Sequence, residues 1–145
     1  MKLHAAAGLL LTAATPAHAA GLCEALGKIV VAGFERPAFR SISGAPRNGD
    51  PRNLVPSVAL QGFKTCTIDP QRAQYSCFSL GLAPAETEAM ADAVRAGIEP
   101  CTGKMVREDL LPGVRRWVAR GDQPGTPVVT LESGAGQVAL TVEMP

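Results

Sequence analysis

Histidine is nearly missing from this chain, and both copies, His4 and His18, fall within its first 19 residues. A mature form without that segment lacks the usual general base of hydrolases and the commonest metal ligand. Aromatic residues make up 4% of the sequence, so its core must be aliphatic. No sign of charge dominates, with 14 Lys+Arg against 13 Asp+Glu. Nucleic acid and anionic membrane surfaces call for a marked basic excess and are not expected as partners. No two cysteines are spaced C-x-x-C, which removes the thioredoxin-type redox motif and c-type haem attachment. A four-cysteine zinc site normally uses close pairs, whereas the nearest cysteines here are positions 66 and 77, so no metal is expected.

Two catalytic designs need no histidine. A glycosidase-type carboxylate pair would draw on Glu35, Asp50, Glu108 and Asp109, which stand in or beside loop-like sequence without flanking aromatics to stack a sugar. Glu108-Asp109 reads as a solvated turn before Leu110-Leu111-Pro112-Gly113. A Ser–Lys dyad would set Ser41, Ser43, Ser57, Ser76, Ser79 or Ser133 beside Lys28, Lys64 or Lys104, yet the S-x-x-K spacing is absent. Gly134-Ala135-Gly136 reads as a hairpin tip, not a phosphate cradle, because no helix follows it. The chain reads as non-enzymatic, with no catalytic residue and no cofactor.

What is present begins with the opening MKLHAAAGLLLTAATPAHAA. Lys2 forms a one-charge n-region, Ala5 to Thr12 a short apolar run, and Ala17-His18-Ala19 an A-x-A cleavage signature, together the pattern of a secretory signal peptide. A membrane span needs about 20 consecutive apolar residues, and Pro16 and His18 interrupt this run. A lipid anchor on Cys23 is disfavoured because Leu22, directly before it, is not small. The expected organisation is a cleaved signal peptide at 1–19 and one domain at 20–145, periplasmic or secreted, with no integral span after cleavage. Losing Lys2 with the signal brings Lys+Arg from 14 to 13, equal to Asp+Glu.

The mature chain reads as α+β: an antiparallel sheet with two helices on one face, in the order α-β-β-β-α-β-β-β. Leu22, Leu26, Ile29, Val30 and Gly33 follow the stripe of an amphipathic helix. Residues at about 35–56, rich in Pro, Gly, Arg and Asn with "PRN" twice, read as a long loop. Ser57 to Ile68 reads as extended with a break at Gly62, and Gln74 to Leu80 as its hairpin partner. Pro84 suits a helix first turn, Met90, Val94, Gly97 and Ile98 form its buried stripe, and Pro100 is expected to stop it. "GVRRWVARG" and the two arms of "PVVTLESGAGQVALTVEMP" supply three further strands.

Four cysteines, Cys23, Cys66, Cys77 and Cys101, in an exported chain read as two disulfides. Pairing Ile68 with Tyr75 sets Cys66 opposite Cys77, within disulfide reach. Cross-links from sheet to helix close longer loops, which the chain-entropy model rates higher. Of the three possible pairings, that argument favours Cys77 with Cys101 and Cys23 with Cys66.

One candidate surface remains. Arg115, Arg116, Trp117 and Arg120 share a strand with arginine on both faces, and Arg47 and Arg52 extend the same positive surface if the long loop folds back over it. Trp and Arg are enriched at binding hot spots, so this surface is expected to dock an acidic protein of the periplasm or envelope. The other reading of the strand is a charged edge whose arginines prevent aggregation. The functional expectation is an exported binding module of inhibitor, immunity or accessory type. The alternative is a structural or assembly subunit of the envelope acting as a homo-oligomer. Intact-mass analysis of the exported protein should give a chain beginning at Ala20, and thiol titration without denaturant should find no free thiol. A retained leader, or two reactive thiols, would contradict this reading.

Overall fold

The computed structural model describes residues 17–120 and 124–145. Most of the expected signal peptide, 1–16, lies outside the described residues. The chain is helical from Ala17 through Gly33 (α1) and again at Pro84–Thr102 (α2). Eight strands complete it: β1 (Ser43–Arg47), β2 (Asp50–Pro56), β3 (Thr65–Asp69), β4 (Gln74–Ser79), β5 (Val106–Leu111), β6 (Val114–Arg120), β7 (Val128–Gly134) and β8 (Gln137–Glu143). They form one antiparallel sheet in the order β1-β2-β3-β4-β8-β7-β6-β5. Two four-stranded meanders thus meet at β4 and β8, and α2 carries the chain from the centre of the sheet to its far edge.

The core lies on the helix side. Alternation puts Tyr75, Cys77 and Ser79 of β4, Val138, Leu140 and Val142 of β8, and Val129, Leu131 and Ser133 of β7 inward. Leu22, Leu26 and Ile29 of α1 and Ala91, Val94 and Ile98 of α2 cover them. The helices touch closely where Gly97 faces Leu22, since a Cβ on Gly97 would stand 2.6 Å from Leu22 Cδ1. Phe39 and Tyr75, both fully buried, stack at a tilt with ring centroids 6.2 Å apart. The Tyr75 hydroxyl donates to the Val58 carbonyl at 2.8 Å, and burial pushes its pKa above the usual phenol range.

Among the described residues the opposite sheet face carries no helix. A row of Thr67, Ser76, Thr141 and Thr130 crosses its four central strands, with Ser76 and Thr141 hydroxyls 3.3 Å apart.

Several boundaries differ from expectation, each for a local reason. The loop expected at about 35–56 contains a 3-10 turn at Arg40–Ile42 and the β1–β2 hairpin. Asn48 and Gly49, both at positive φ, turn that hairpin, and Asn-Gly is the strongest short-range hairpin signal. Its strands have little burial to imprint an alternation: β1 is the sheet edge, β2 lies next to it, and neither carries a buried residue. Glu108-Asp109, read as a turn, lies within β5, the other edge strand. The sheet therefore has four strands before α2 and four after it. Pro100 does not stop α2; the helix runs on to Thr102, and the Gly103 amide closes it on the Glu99 carbonyl at 2.9 Å.

The register expected for the central hairpin is the one observed, with Ile68 opposite Tyr75 and Cys66 opposite Cys77. The disulfide pairing is corrected: the bonds are Cys23–Cys101 and Cys66–Cys77. Cross-strand register places Cys77 against Cys66, out of reach of α2, while the first turns of α1 lie beside the last turn of α2. The two bridges differ in access. Cys66 and Cys77 are 7% and 0% exposed, whereas Cys101 lies at the surface.

Mild reductant without denaturant should therefore open Cys23–Cys101 first, with alkylation appearing at Cys23 and Cys101 while Cys66 and Cys77 stay protected. The Cys23–Cys101 bridge spans 78 residues of chain and Cys66–Cys77 spans 11, so the chain-entropy model assigns roughly 4.5 and 3 kcal/mol to them. Cys101→Ser should lower unfolding free energy by several kcal/mol in denaturant melts. A melting temperature within a degree or two of wild type would remove the bracing role.

Candidate functional site

The arginine surface does not assemble as one site. Arg47 and Arg52 lie on β1 and β2, and Arg115 and Arg116 on β6. Five strand spacings separate β2 from β6, about 24 Å at the usual interstrand distance. The β1–β2 segment does not fold back over β6; it pairs into the sheet beside β3.

Each arginine also has local work. Arg115 reaches Glu88 of α2 at 3.1 Å. Arg116 stands on the open face between Glu108 of β5, at 3.9 Å, and Glu132 of β7, at 3.7 Å, both directly across the ladder. Arg52 lies 3.7 Å from Asp50, and Arg47 donates to the Cys66 carbonyl at 3.0 Å. The Arg120 side chain lies outside the described residues. Trp117 points inward opposite Leu131 and is 8% exposed, so it packs the core and presents no anchor to a partner.

The carboxylates weighed for catalysis are likewise dispersed. Glu35 accepts from the Ser41 amide at 2.7 Å, and hydrogen bonding from Ser41 holds its carboxyl below the ordinary glutamate range. Asp50 accepts from the Arg52 amide, and Asp109 pairs with Arg107 at 2.8 Å. Glu108 and Asp109 are neighbours on a strand, so their side chains leave on opposite faces. Ser79 and Lys64 do come together, but through the Lys64 backbone amide; Nζ of Lys64 turns to the Leu80 carbonyl, and Ser79 is 1% exposed. Among the described residues no three His, Cys, Asp or Glu side chains cluster as metal ligands. None of the described helices is long and apolar enough to cross a membrane.

A different surface stands out, on the outward side of α1. Val31 is 72% exposed and Phe34, just past the helix end, 53%. Two apolar clefts flank this ridge, and both include Gly27 and Val31 in their walls. One, about 400 Å³, runs between α1 and the β6–β7 end of the sheet over Cys23, Cys101, Ala119 and Val129. The other, about 420 Å³, runs between α1 and the segment holding Ile42 and Val58. The sequence signal for it was available: Glu24, Gly27 and Val31 recur at three- and four-residue spacings on the side of α1 opposite Leu22, Leu26 and Ile29, and Phe34 follows in the turn after the helix.

Comparison with protein-family models, with curated proteins and with solved structures finds no match to this chain.

Reversing the charge of Arg116 should test its local role. Arg116→Glu converts two cross-strand opposite-charge pairs, each worth roughly 0.2–1 kcal/mol, into like-charge pairs. The variant should lose about 1–2 kcal/mol of unfolding free energy in urea. An unchanged urea midpoint would show that Glu108 and Glu132 do not hold Arg116.

Proposed function

We propose that this chain is an exported, non-enzymatic protein-binding module of the periplasm or cell envelope that docks through the outward face of α1. The observation that carries the reading is the exposed Val31–Phe34 ridge between two apolar clefts. Exposed apolar patches rimmed by polar groups mark interaction surfaces, and here Glu24 and Lys28 supply the rim, joined by a 2.8 Å ion pair. Two disulfides support life in an oxidising compartment, since they persist there and are rare in the cytosol. The non-enzymatic part is supported by the dispersal of Glu35, Asp50, Glu108 and Asp109 into separate local contacts.

The acidic partner expected from the arginines loses its main support. Arg115, Arg116 and Arg52 already face carboxylates of this chain, and a charge-led interface needs groups free to face the partner. An apolar contact fits the surface better.

A photo-crosslinking residue placed at Val31 or Phe34, in cells that make the protein, should give discrete protein adducts. The same residue at Arg72, exposed in the β3–β4 turn, should give none. Equal labelling at the three positions, or none at 31 and 34, would overturn the docking face.

A further inference from the structure

We propose that the N-terminal end of α2 carries a second, separate site, which binds a small zwitterion: a free α-amino acid no larger than serine. The site shares no residue with the clefts beside α1, so neither reading depends on the other.

The first turn of α2 stands over the ends of β6 and β7, and a cleft of about 210 Å³ opens between them. Pro84, Thr87 and Glu88 form the helix wall, and Arg115 and Ser133, directly opposite each other across the β6–β7 ladder, form the sheet wall. The rim comes from the turn at Gly113 and the turn at 134–136, where the one side chain is the methyl group of Ala135. These pieces hold one another in place. A Cβ on Gly134 would collide with the Gly113 carbonyl oxygen, so the two turns touch, and the Leu82 amide donates to the Gly136 carbonyl at 2.9 Å, tying the segment before α2 to the same turn. A cleft fixed in this way is pre-formed, as small-molecule sites are.

Ser133 is the group that points to a ligand. It is 5% exposed, it lines the cleft, and its hydroxyl bonds no group among the described residues. Buried hydroxyls are ordinarily bonded. Thr87, in the same wall and equally buried, shows the ordinary case by donating to the Ala83 carbonyl at 3.0 Å. Ser133 is left with its donor unspent.

Charge selects the kind of ligand. Glu88 and Arg115 meet at 3.1 Å, and apart from that contact neither has a partner among the described residues. A guanidinium carries more N–H donors than one carboxylate can take, and a carboxylate more lone pairs than one N–H can fill, so both keep capacity for a ligand while still paired. An anion alone would gain Arg115 and be opposed by Glu88, and a cation alone would meet the reverse. A zwitterion answers both: its carboxylate accepts from Arg115 and from the Ser133 hydroxyl, and its ammonium donates to Glu88, so that charges of alternating sign close a ring. The positive end of α2 favours the same orientation of the carboxylate. Glu86, the other acid of this turn, is turned back on the Ala83 amide at 2.9 Å and does not line the cleft. At roughly 30 Å³ for each water-sized group the volume holds about seven such groups, which is the size of serine and leaves no room for a longer side chain.

Titration of the oxidised protein with L-alanine, followed by amide chemical shifts in NMR and by calorimetry, tests the proposal. L-alanine should bind saturably in the millimolar range expected of so small a ligand, with shifts centred on Glu88, Arg115, Ser133 and the 134–136 turn. Acetate and methylammonium, which each carry one of the two charges, should bind about tenfold more weakly. Ser133→Ala should weaken L-alanine about tenfold with the melting temperature unchanged. Glu88→Gln should weaken L-alanine while leaving acetate as tight or tighter, a split that loss of folding would not produce; Glu88 is at the surface, so this variant keeps the test open should Ser133→Ala disturb the fold. No saturable shift at tens of millimolar L-alanine, or shifts centred elsewhere, overturns the site. Acetate binding as tightly as L-alanine, with Glu88→Gln tightening both, overturns the zwitterion in favour of a plain anion. L-alanine affinity unchanged in both variants overturns the proposal as well, by removing the groups it assigns.

Discussion

The close packing of α1 on α2, locked by Cys23–Cys101, is the contact on which the presentation of this molecule depends. α2 lies directly on β7 and β8, whereas α1 packs mainly on α2 and on the 3-10 turn at Arg40–Ile42. Gly97 permits that approach because Leu22 occupies the space a side chain would need. The bridge closes the longest loop in the chain and does so at the helix ends, where fraying would otherwise begin. Val31 lies on the same helix, so the contact that braces α1 also fixes the exposed ridge of Val31 and Phe34.

The second bridge has a different character. Cys66–Cys77 lies across a register that the hairpin already specifies through Ile68 opposite Tyr75. It is buried beneath the helices with Tyr75, whose hydroxyl is committed to Val58. In a core with few aromatic rings, Tyr75, Phe39 and this disulfide together fill the volume that larger side chains would take elsewhere. One bridge restrains a long loop at the surface, and the other packs the centre of the sheet.

The charged side chains follow from the same geometry. A sheet covered on one face must solvate the other, and a β6 strand with arginine on both faces meets acids on each side: Glu88 from α2 above and Glu108 and Glu132 from the adjacent strands below. Arginine runs in a sequence state charge, but not whether that charge is already answered within the fold. Here the answer moves the candidate interface from the arginine strand to an apolar helix face.

The sequence by itself determined the features that rest on periodicity and on local chemistry. It determined the helical stripe of Leu22, Leu26 and Ile29, the β4 and β8 alternations, the Cys66–Cys77 opposition and the hairpin tip at Gly134-Ala135-Gly136, because each is written in spacings of two or of three to four residues. Tertiary structure alone decided the rest. Strands β1 and β5 at the two sheet edges, and β2 beside β1, bury too little to imprint an alternation, so pairing with a neighbour made them strands. The disulfide partners were decided by the approach of two helices 78 residues apart in the chain, and no spacing encodes that distance. Whether Trp117 faces the core, and whether Arg116 faces solvent or a carboxylate, was likewise settled by which strands became neighbours.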